Sequence, residues 1–291
     1  MVSEPEIMPA VREKLPVITE FYASLAPQEK FNAAPLSECV PAIEINDGRY
    51  FARFARTPEE IDLALHLRFE VFNLELNEGL DTSFITGRDE DEFDASCHHL
   101  IVSEKRSDAI VGTYRLRTLE TAMSAAGFYC AGEFDLENLP PEVLIESLEI
   151  GRACIAREHR NTRVLFLLWK GLAAYAEMKN KRYLFGCCSL TSQIESEGWR
   201  AERLLRRENH FHPEFAVFPR EGFVCSAENF SPDRGGGEDE FELPRLFHTY
   251  LRFGAKACSP PAIDRRFKTI DFFVIFDLET IDEKYRQMFF G

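Results

Sequence analysis

The chain has 291 residues, is 45% hydrophobic, and carries 34 basic against 49 acidic residues, a formal net charge of -15. That much apolar content builds one large domain or two small ones with a substantial core. The acidic balance argues against a general nucleic-acid binder, which is basic over its footprint. No run of about 18 apolar residues is present to span a membrane.

Residues 1 to about 47 are punctuated by proline and weakly patterned, and read as an N-terminal arm. The opening MVSEPEIMPAVREKLP lacks an apolar h-region, so no secretory signal is expected. Arg49 to Ala55 alternates like a strand. Thr57-Pro58-Glu59-Glu60 then offers an N-cap, a proline at the first helical position and an acidic first turn. Ile61, Leu65, Phe69 and Phe72 follow at helical spacing and predict a helix to about Leu76. Next come the polar turn Asn77-Glu78-Gly79 and the acidic cluster Arg88-Asp89-Glu90-Asp91-Glu92-Phe93-Asp94. His98 to Ser103 and Ala109 to Arg117 read as two strands around a turn. A looser stretch follows, holding Phe128-Tyr129 and Glu133-Phe134-Asp135-Leu136.

Ser147 to Ile155 reads as a buried strand that nevertheless carries Glu149 and Arg152. A carboxylate on so apolar a strand has to be hydrogen-bonded, paired or proton-shuttling. An internal Glu149–Arg152 ion pair is the structural alternative to a catalytic role. In an ideal strand the two point to opposite faces, and Gly151 between them permits a bulge. A basic turn, Arg157 to Arg163, leads into a helix predicted over Thr162 to Lys179, whose N-terminus suits an anionic or carbonyl group. Arg182 to Leu190 is a second buried strand. Glu195 to Asn209 is a basic amphipathic helix with Arg203, Arg206 and Arg207 on one face. Gly235 to Glu240 reads as a solvated acidic loop, and Pro244 to Phe253 as a helix stopped by Gly254. Ala255 to Cys258 and Ile270 to Leu278 are two further strands. This order predicts a mixed α/β domain, layered in the α+β manner, with helices on both faces of the sheet.

Eight cysteines are scattered without a CxxC pair, which suits neither a zinc cage nor a disulfide framework. Small buried thiols in a reducing cytosol are the expected reading. Cys97-His98-His99 and His210-x-His212 do not supply a structural zinc set, so no metal is expected. The 26 phenylalanines are expected to be mostly core, with Phe69 and Phe72 as candidates to wall an acyl channel.

Four segments together resemble a GNAT-type acyltransferase. They are Leu67-Arg68-Phe69-Glu70-Val71-Phe72, Asp89-x-Asp91-x-x-Asp94, Gly112-Thr113-Tyr114-Arg115-Leu116 and Glu149-x-x-Arg152. The resemblance is to the branch of acyl-homoserine-lactone synthases and ornithine acyl-ACP N-acyltransferases, the hemolysin-like group. Leu167 to Leu172, Tyr183 to Leu190, Tyr250 to Lys256 and Pro260 to Asp264 resemble the ornithine group more closely. The resemblance covers about residues 49 to 288, with about 191 to 243 read as an insertion in a domain running from 48 to 291.

The resemblance implies a GNAT-like mixed sheet in which two neighbouring parallel strands, Ser147–Ile155 and Arg182–Leu190, splay apart around a pantetheine arm. The turn Arg160-Asn161-Thr162-Arg163-Val164 has none of the glycines of the acyl-CoA fingerprint. Glycines let backbone amides approach a pyrophosphate closely. Their absence favours acyl-ACP, with a single phosphate, as co-substrate and acyl carrier protein as partner. No bound cofactor is implied. The expected reaction moves a fatty or 3-hydroxy fatty acyl group to the amine of an amino acid, with ornithine as first choice. A homoserine-lactone-forming or acyl-CoA-dependent GNAT, or a non-catalytic lipid-binding module, is the alternative.

Glu149 is the candidate base, with Arg152 beside it as a catalytic residue. Arg68, Phe72, Asp89, Asp91, Asp94 and Arg115 are candidates for the substrate cleft, through which arginine would take a carboxylate and aspartate an amine. Arg157, Arg160 and Arg163, with Arg203, Arg206 and Arg207, form a candidate basic patch for an acidic carrier. The alternatives for that patch are plain solvation or contact with anionic lipid at the inner membrane face. The expected location is the cytoplasm, with peripheral membrane contact open.

Overall fold

In a computed structural model, residues 40–226 and 241–291 are described. Most of the expected arm, and the acidic loop Gly235 to Glu240, lie outside the described residues. The strands are β1 Glu44–Asp47, β2 Tyr50–Phe54, β3 His98–Glu104, β4 Ile110–Thr118, β5 Phe134–Asp135, β6 Ser147–Ile155, β7 Tyr183–Leu190, β8 Phe218–Pro219, β9 Lys256–Ala257, β10 Ala262–Asp264 and β11 Thr269–Asp277. The longer helices are α1 Pro58–Phe69, α2 Thr162–Met178, α3 Glu195–Arg207, α4 Arg245–Phe253 and α5 Glu283–Phe290.

Nine strands form one sheet in the order β1-β2-β3-β4-β6-β7-β11-β10, with β9 also paired to β11. β5 and β8 make a separate two-stranded ribbon. All neighbours in the large sheet run antiparallel except β6 and β7, which are parallel. The sheet starts at Glu44, inside the stretch read as the arm, because Glu44 to Asp47 pairs with Tyr50 to Arg53.

Period-two alternation sorts the side chains onto two faces. Leu100 and Val102 of β3 join the large core under α2, with Trp169, Leu172 and Tyr175. Ile101 between them packs with Ala64 of α1 on the opposite face. Further along, Leu184, Phe272 and Val274 belong to the α2 side, and Phe185, Phe273 and Ile275 to the other. Helices therefore cover both faces, as the element order predicts.

The helix ends follow their local signals. Thr57 caps α1 by accepting from the Glu60 amide at 3.3 Å. α1 then loosens into a π-helical stretch, Glu70–Glu75. Asn161 caps α2, and Gly254, at φ 109°, ends α4 in the left-handed region. The helix α5 has no counterpart among the sequence-derived elements.

Two irregularities shape the centre of the sheet. Thr113 pairs with Cys154 and Arg115 with Gly151, so the single residue Tyr114 of β4 stands opposite two of β6, Arg152 and Ala153. The bulged residue is Arg152 itself, at φ 51°, while Gly151 keeps an ordinary conformation. The second is a parting. β6 and β7 pair only through Ser147–Tyr183, Leu148–Leu184 and Glu149–Phe185, although both strands continue. Gly186 marks the branch point, where a Cβ would run into the Ile150 carbonyl oxygen.

Candidate active site

The parting of β6 from β7 opens a cavity of about 640 Å³. From the α2 face it is lined by Leu165, Leu168, Trp169, Phe247 and Tyr250. The other face supplies Phe72, Glu78, Arg115, Tyr129, Arg152 and Asp271. Backbone of Ile150, Gly151, Arg152 and Ala153 runs along the gap, where β6 has no β7 partner. Unpaired peptide N–H groups there can receive a carbonyl oxygen.

Behind the polar wall lies a closed ring of three arginines and three aspartates. Arg68 on α1 donates from Nε to Asp89 at 2.8 Å and from Nη1 to Asp94 at 2.7 Å. Arg115 on β4 donates from Nη1 to Asp94 at 2.9 Å and to Asp91 at 2.5 Å. Arg152 donates from Nη2 to Asp91 at 3.1 Å, and its Nε lies 3.3 Å from Asp89. None of the six side chains is more than 8% exposed. Isolated buried charges would be very costly, so the three-to-three balance is what makes this burial tolerable. Burial alone would raise the Asp94 pKa, but Arg68 and Arg115 outweigh it and hold the carboxyl well below the usual range. Asp91 is lowered likewise, with Arg115 the main opponent of desolvation. The Arg152 guanidinium also lies over the rings of Tyr129, 4.7 Å away, and Phe267, 4.3 Å away.

Glu149 does not pair with Arg152. Its Oε2 accepts from the Tyr129 amide at 2.9 Å and its Oε1 from the Cys130 amide at 2.8 Å. The left-handed bulge turns Arg152 into the aspartate ring instead. Glu149 still lines the cavity, as do Arg152, Arg115 and Phe72. Arg68, Asp89, Asp91 and Asp94 are not among the lining residues; they hold Arg115 and Arg152 from behind.

Of the basic residues, Arg160 reaches the cavity, in company with Asn161 and Thr162, and donates to both Glu75 carboxylate oxygens. Arg157 and Arg163 are exposed close to it in sequence. Arg203, Arg206 and Arg207 are exposed on α3 and do not line the cavity. Arg206 bonds Glu202 and stacks on Phe211.

The histidine pairs are occupied elsewhere: His98 Nδ1 is 2.8 Å from the Tyr175 hydroxyl, and His212 Nδ1 accepts from two backbone amides. Among the described residues, seven cysteines are free thiols. Burial pushes Cys97, Cys130 and Cys154 up to about 12, which suits packing and not nucleophilic work.

Sequence reasoning missed Glu78, Tyr129 and Asp271 as cavity residues. Asp271 had the same signal as Glu149, a lone carboxylate in an apolar strand, Thr269–Asp277. Burial pushes Glu78 up to about 7 and Asp271 up to about 6.

Residues 67–170, the span holding this ring and the strand β6, match the family described as Acetyltransferase (GNAT) domain. The L-ornithine N(alpha)-acyltransferase of Brucella abortus (strain 2308) is 31% identical over 261 residues, covering 82% of this chain and 88% of that one. The protein of the same description from Rhizobium meliloti (strain 1021) is 31% identical, covering 87% of each chain. The chain belongs to the L-ornithine N(alpha)-acyltransferase family. It is therefore an acyltransferase, and the sheet with its parted strands is the family's GNAT-like fold. Among solved structures, the AHL synthase LasI is 13% identical, covers 84% of this chain and 96% of that one, and has a TM-score of 0.45. FeeM, an N-acyl amino acid synthase from uncultured soil microbes, is 11% identical, covers 80% and 92%, and has a TM-score of 0.44.

In this acyltransferase the ring predicts a specific sensitivity. Asp94→Asn leaves Arg68 and Arg115 short of a buried counter-charge and is expected to cost about 3–5 kcal/mol in a urea unfolding series. Because the folded-state pKa of Asp94 is depressed, its contribution is fully present above the unfolded value of about 3.9 and is lost as pH falls through the folded one. The stability difference between wild type and variant should therefore shrink on acidification below about pH 4. A difference that stays constant through acid would contradict the assignment.

Proposed function

We propose that the enzyme moves a fatty or 3-hydroxy fatty acyl group from acyl-ACP to the α-amine of ornithine. The observation that carries this is the two-ended cavity at the parting of β6 and β7. Its apolar side suits an acyl chain and pantetheine arm, and its charged side suits an amino acid. The family names supply ornithine as the acceptor to test first.

Amide synthesis needs a neutral amine, and a free α-amine titrates near pH 8. Glu149 is the proposed base. Two backbone amides hold its carboxylate in place, and each oxygen keeps a second lone pair for the amine proton or a bridging water. Peptide N–H groups on the unpaired edge of β6 would receive the tetrahedral oxyanion. Arg152 and Arg115, fixed by the aspartates behind them, would orient the acceptor's carboxylate. The reaction needs no acyl-enzyme, in keeping with the buried thiols.

Acyl-ACP is favoured over acyl-CoA by the start of α2. The Asn161 side chain already accepts from the amides of Arg163 and Val164, at 3.0 and 3.2 Å, so these do not point to a pyrophosphate. The carrier would dock on Arg157, Arg160 and Arg163 by the cavity and on Arg203, Arg206 and Arg207 of α3. These arginines would also serve peripheral contact with anionic lipid. No helix among the described residues is long and apolar enough to cross a membrane.

Incubation with a defined acyl-ACP and ornithine should give a product of the N-acylornithine mass, and acyl-CoA should be a poor donor. Equal catalytic efficiency with both donors would rule out carrier selectivity. Glu149→Gln should keep the fold and lower turnover about a hundredfold or more; near-wild-type turnover across pH 7 to 9 would remove it as the base. Reversing Arg203, Arg206 and Arg207 to Glu should raise KM for acyl-ACP and flatten its salt dependence, with a short pantetheine thioester unaffected. Equal losses with both donors would end the docking assignment.

A further inference from the structure

Beside the polar side of the cavity, where Glu78 and Asp271 line it, lies a group of carboxyls that no basic side chain pairs. Ligand oxygens of Glu133, Asp264 and Asp271 all lie within 4.8 Å of one another, and the three side chains are 3%, 5% and 3% exposed. Glu78 stands near them, buried, lining the cavity together with Asp271. Among the described residues no Lys, Arg or His forms an ion pair with any of the four. The contrast with the nearby ring is direct: there three arginines match three aspartates.

The groups that do touch the cluster orient it without adding positive charge. Asp264 Oδ1 accepts from the amides of Arg266 and Phe267, at 2.7 and 2.9 Å. Its Oδ2 lies 3.4 Å from the Tyr129 hydroxyl. Thr269 donates to Asp271 Oδ2 at 3.0 Å, Thr191 donates to Glu78, and Cys187 approaches Glu133 Oε2. Two oxygens are left over: Glu133 Oε1 and Asp271 Oδ1 are buried and have no hydrogen-bond partner. A buried acceptor left unsatisfied is costly. Asp271 lines the cavity with Glu133 packed against it, so its free oxygen marks a place for a donor that arrives with the ligand.

We propose that Asp271, with Glu78 beside it on the cavity wall and Glu133 and Asp264 packed behind it, binds the side-chain ammonium of a diamino-acid acceptor. An ammonium is a compact cation with three donors and no acceptor, which matches carboxyl oxygens that have no donor and carboxyls that no basic side chain pairs. A divalent ion fits less well. Calcium takes about 6–8 oxygen ligands, and Asp264 Oδ1 is already committed to two amides. The subsite also settles which amine reacts. The amine held by carboxylates stays protonated and has no lone pair, while the α-amine, near Glu149 and the gap, is free to lose its proton. This inference rests on the proposed reading of the enzyme as an amino-acid N-acyltransferase.

The test compares ornithine with norvaline, the same chain without the δ-amine, using the full-length enzyme and acyl-ACP. Wild type is expected to favour ornithine in kcat/KM by roughly a hundredfold or more, since a site built to bind an amine rejects an analogue lacking it. Glu133→Gln and Asp271→Asn should raise KM for ornithine while leaving norvaline unchanged or improved, so that the preference collapses. Wild type that uses the two acceptors equally overturns the subsite without any variant having to fold. Variants that lose both acceptors in equal measure also overturn it. Activity lost in EDTA and restored by a divalent cation would replace the ammonium with a metal. Transfer to no amino acid at all would bring down the enzyme reading itself, an outcome distinct from transfer without discrimination.

Discussion

Everything around the cavity depends on the closed ring of Arg68, Asp94, Arg115, Asp91, Arg152 and Asp89. It ties α1, the loop before β3, β4 and β6 together at one buried point. A single ion pair there would repay its desolvation poorly. Six alternating charges do better, because each guanidinium meets two carboxylates and each carboxylate two guanidiniums. The ring also holds Arg152 in the left-handed conformation, which costs a non-glycine residue about 1–3 kcal/mol. The bulge and the ring are thus one device: the bulge swings Arg152 to the aspartates, and the aspartates hold the bulge.

That device governs the sheet. With an extra residue in β6, the strand bends away from β7 after Glu149, and the backbone that would have paired with β7 faces a cavity. Gly186 lets Ile150 pass closely at the branch. The helix α2 closes the cavity on one face with apolar side chains, and the opposite face brings in the charged ones. An acyl chain and an amino acid can therefore approach the same few peptide groups from opposite sides of the sheet.

The electrostatics of the charged side are divided. Around Arg115 and Arg152, positive charge is matched and fixed. At Glu133, Asp264 and Asp271, carboxyls are concentrated with no basic partner, and burial pushes Asp271 up to about 6 and Glu133 well above the usual carboxylate range, toward the protonated form that a bound cation would reverse. Between the two stands Tyr129, whose ring meets Arg152 and whose hydroxyl meets Asp264. A zwitterion with a second ammonium complements that division.

The kind and order of the main elements were legible in the sequence, because caps, helical spacing and strand alternation are local. Thr57, Asn161 and Gly254 sit at helix ends through hydrogen bonds and φ values that depend on their immediate neighbours. The parting of Ser147–Ile155 from Arg182–Leu190 was legible too, but only through family resemblance, since nothing local to either strand forbids full pairing. Which charges meet was decided by tertiary structure alone. Glu149 and Arg152 are three residues apart, yet one goes to backbone amides and the other to aspartates on a remote loop. Asp271 looked like one polar residue in a buried strand, and only the folding of distant Glu133 and Asp264 beside it makes a carboxylate cluster. Charges act through space over a few ångströms, and one-dimensional spacing does not record that distance.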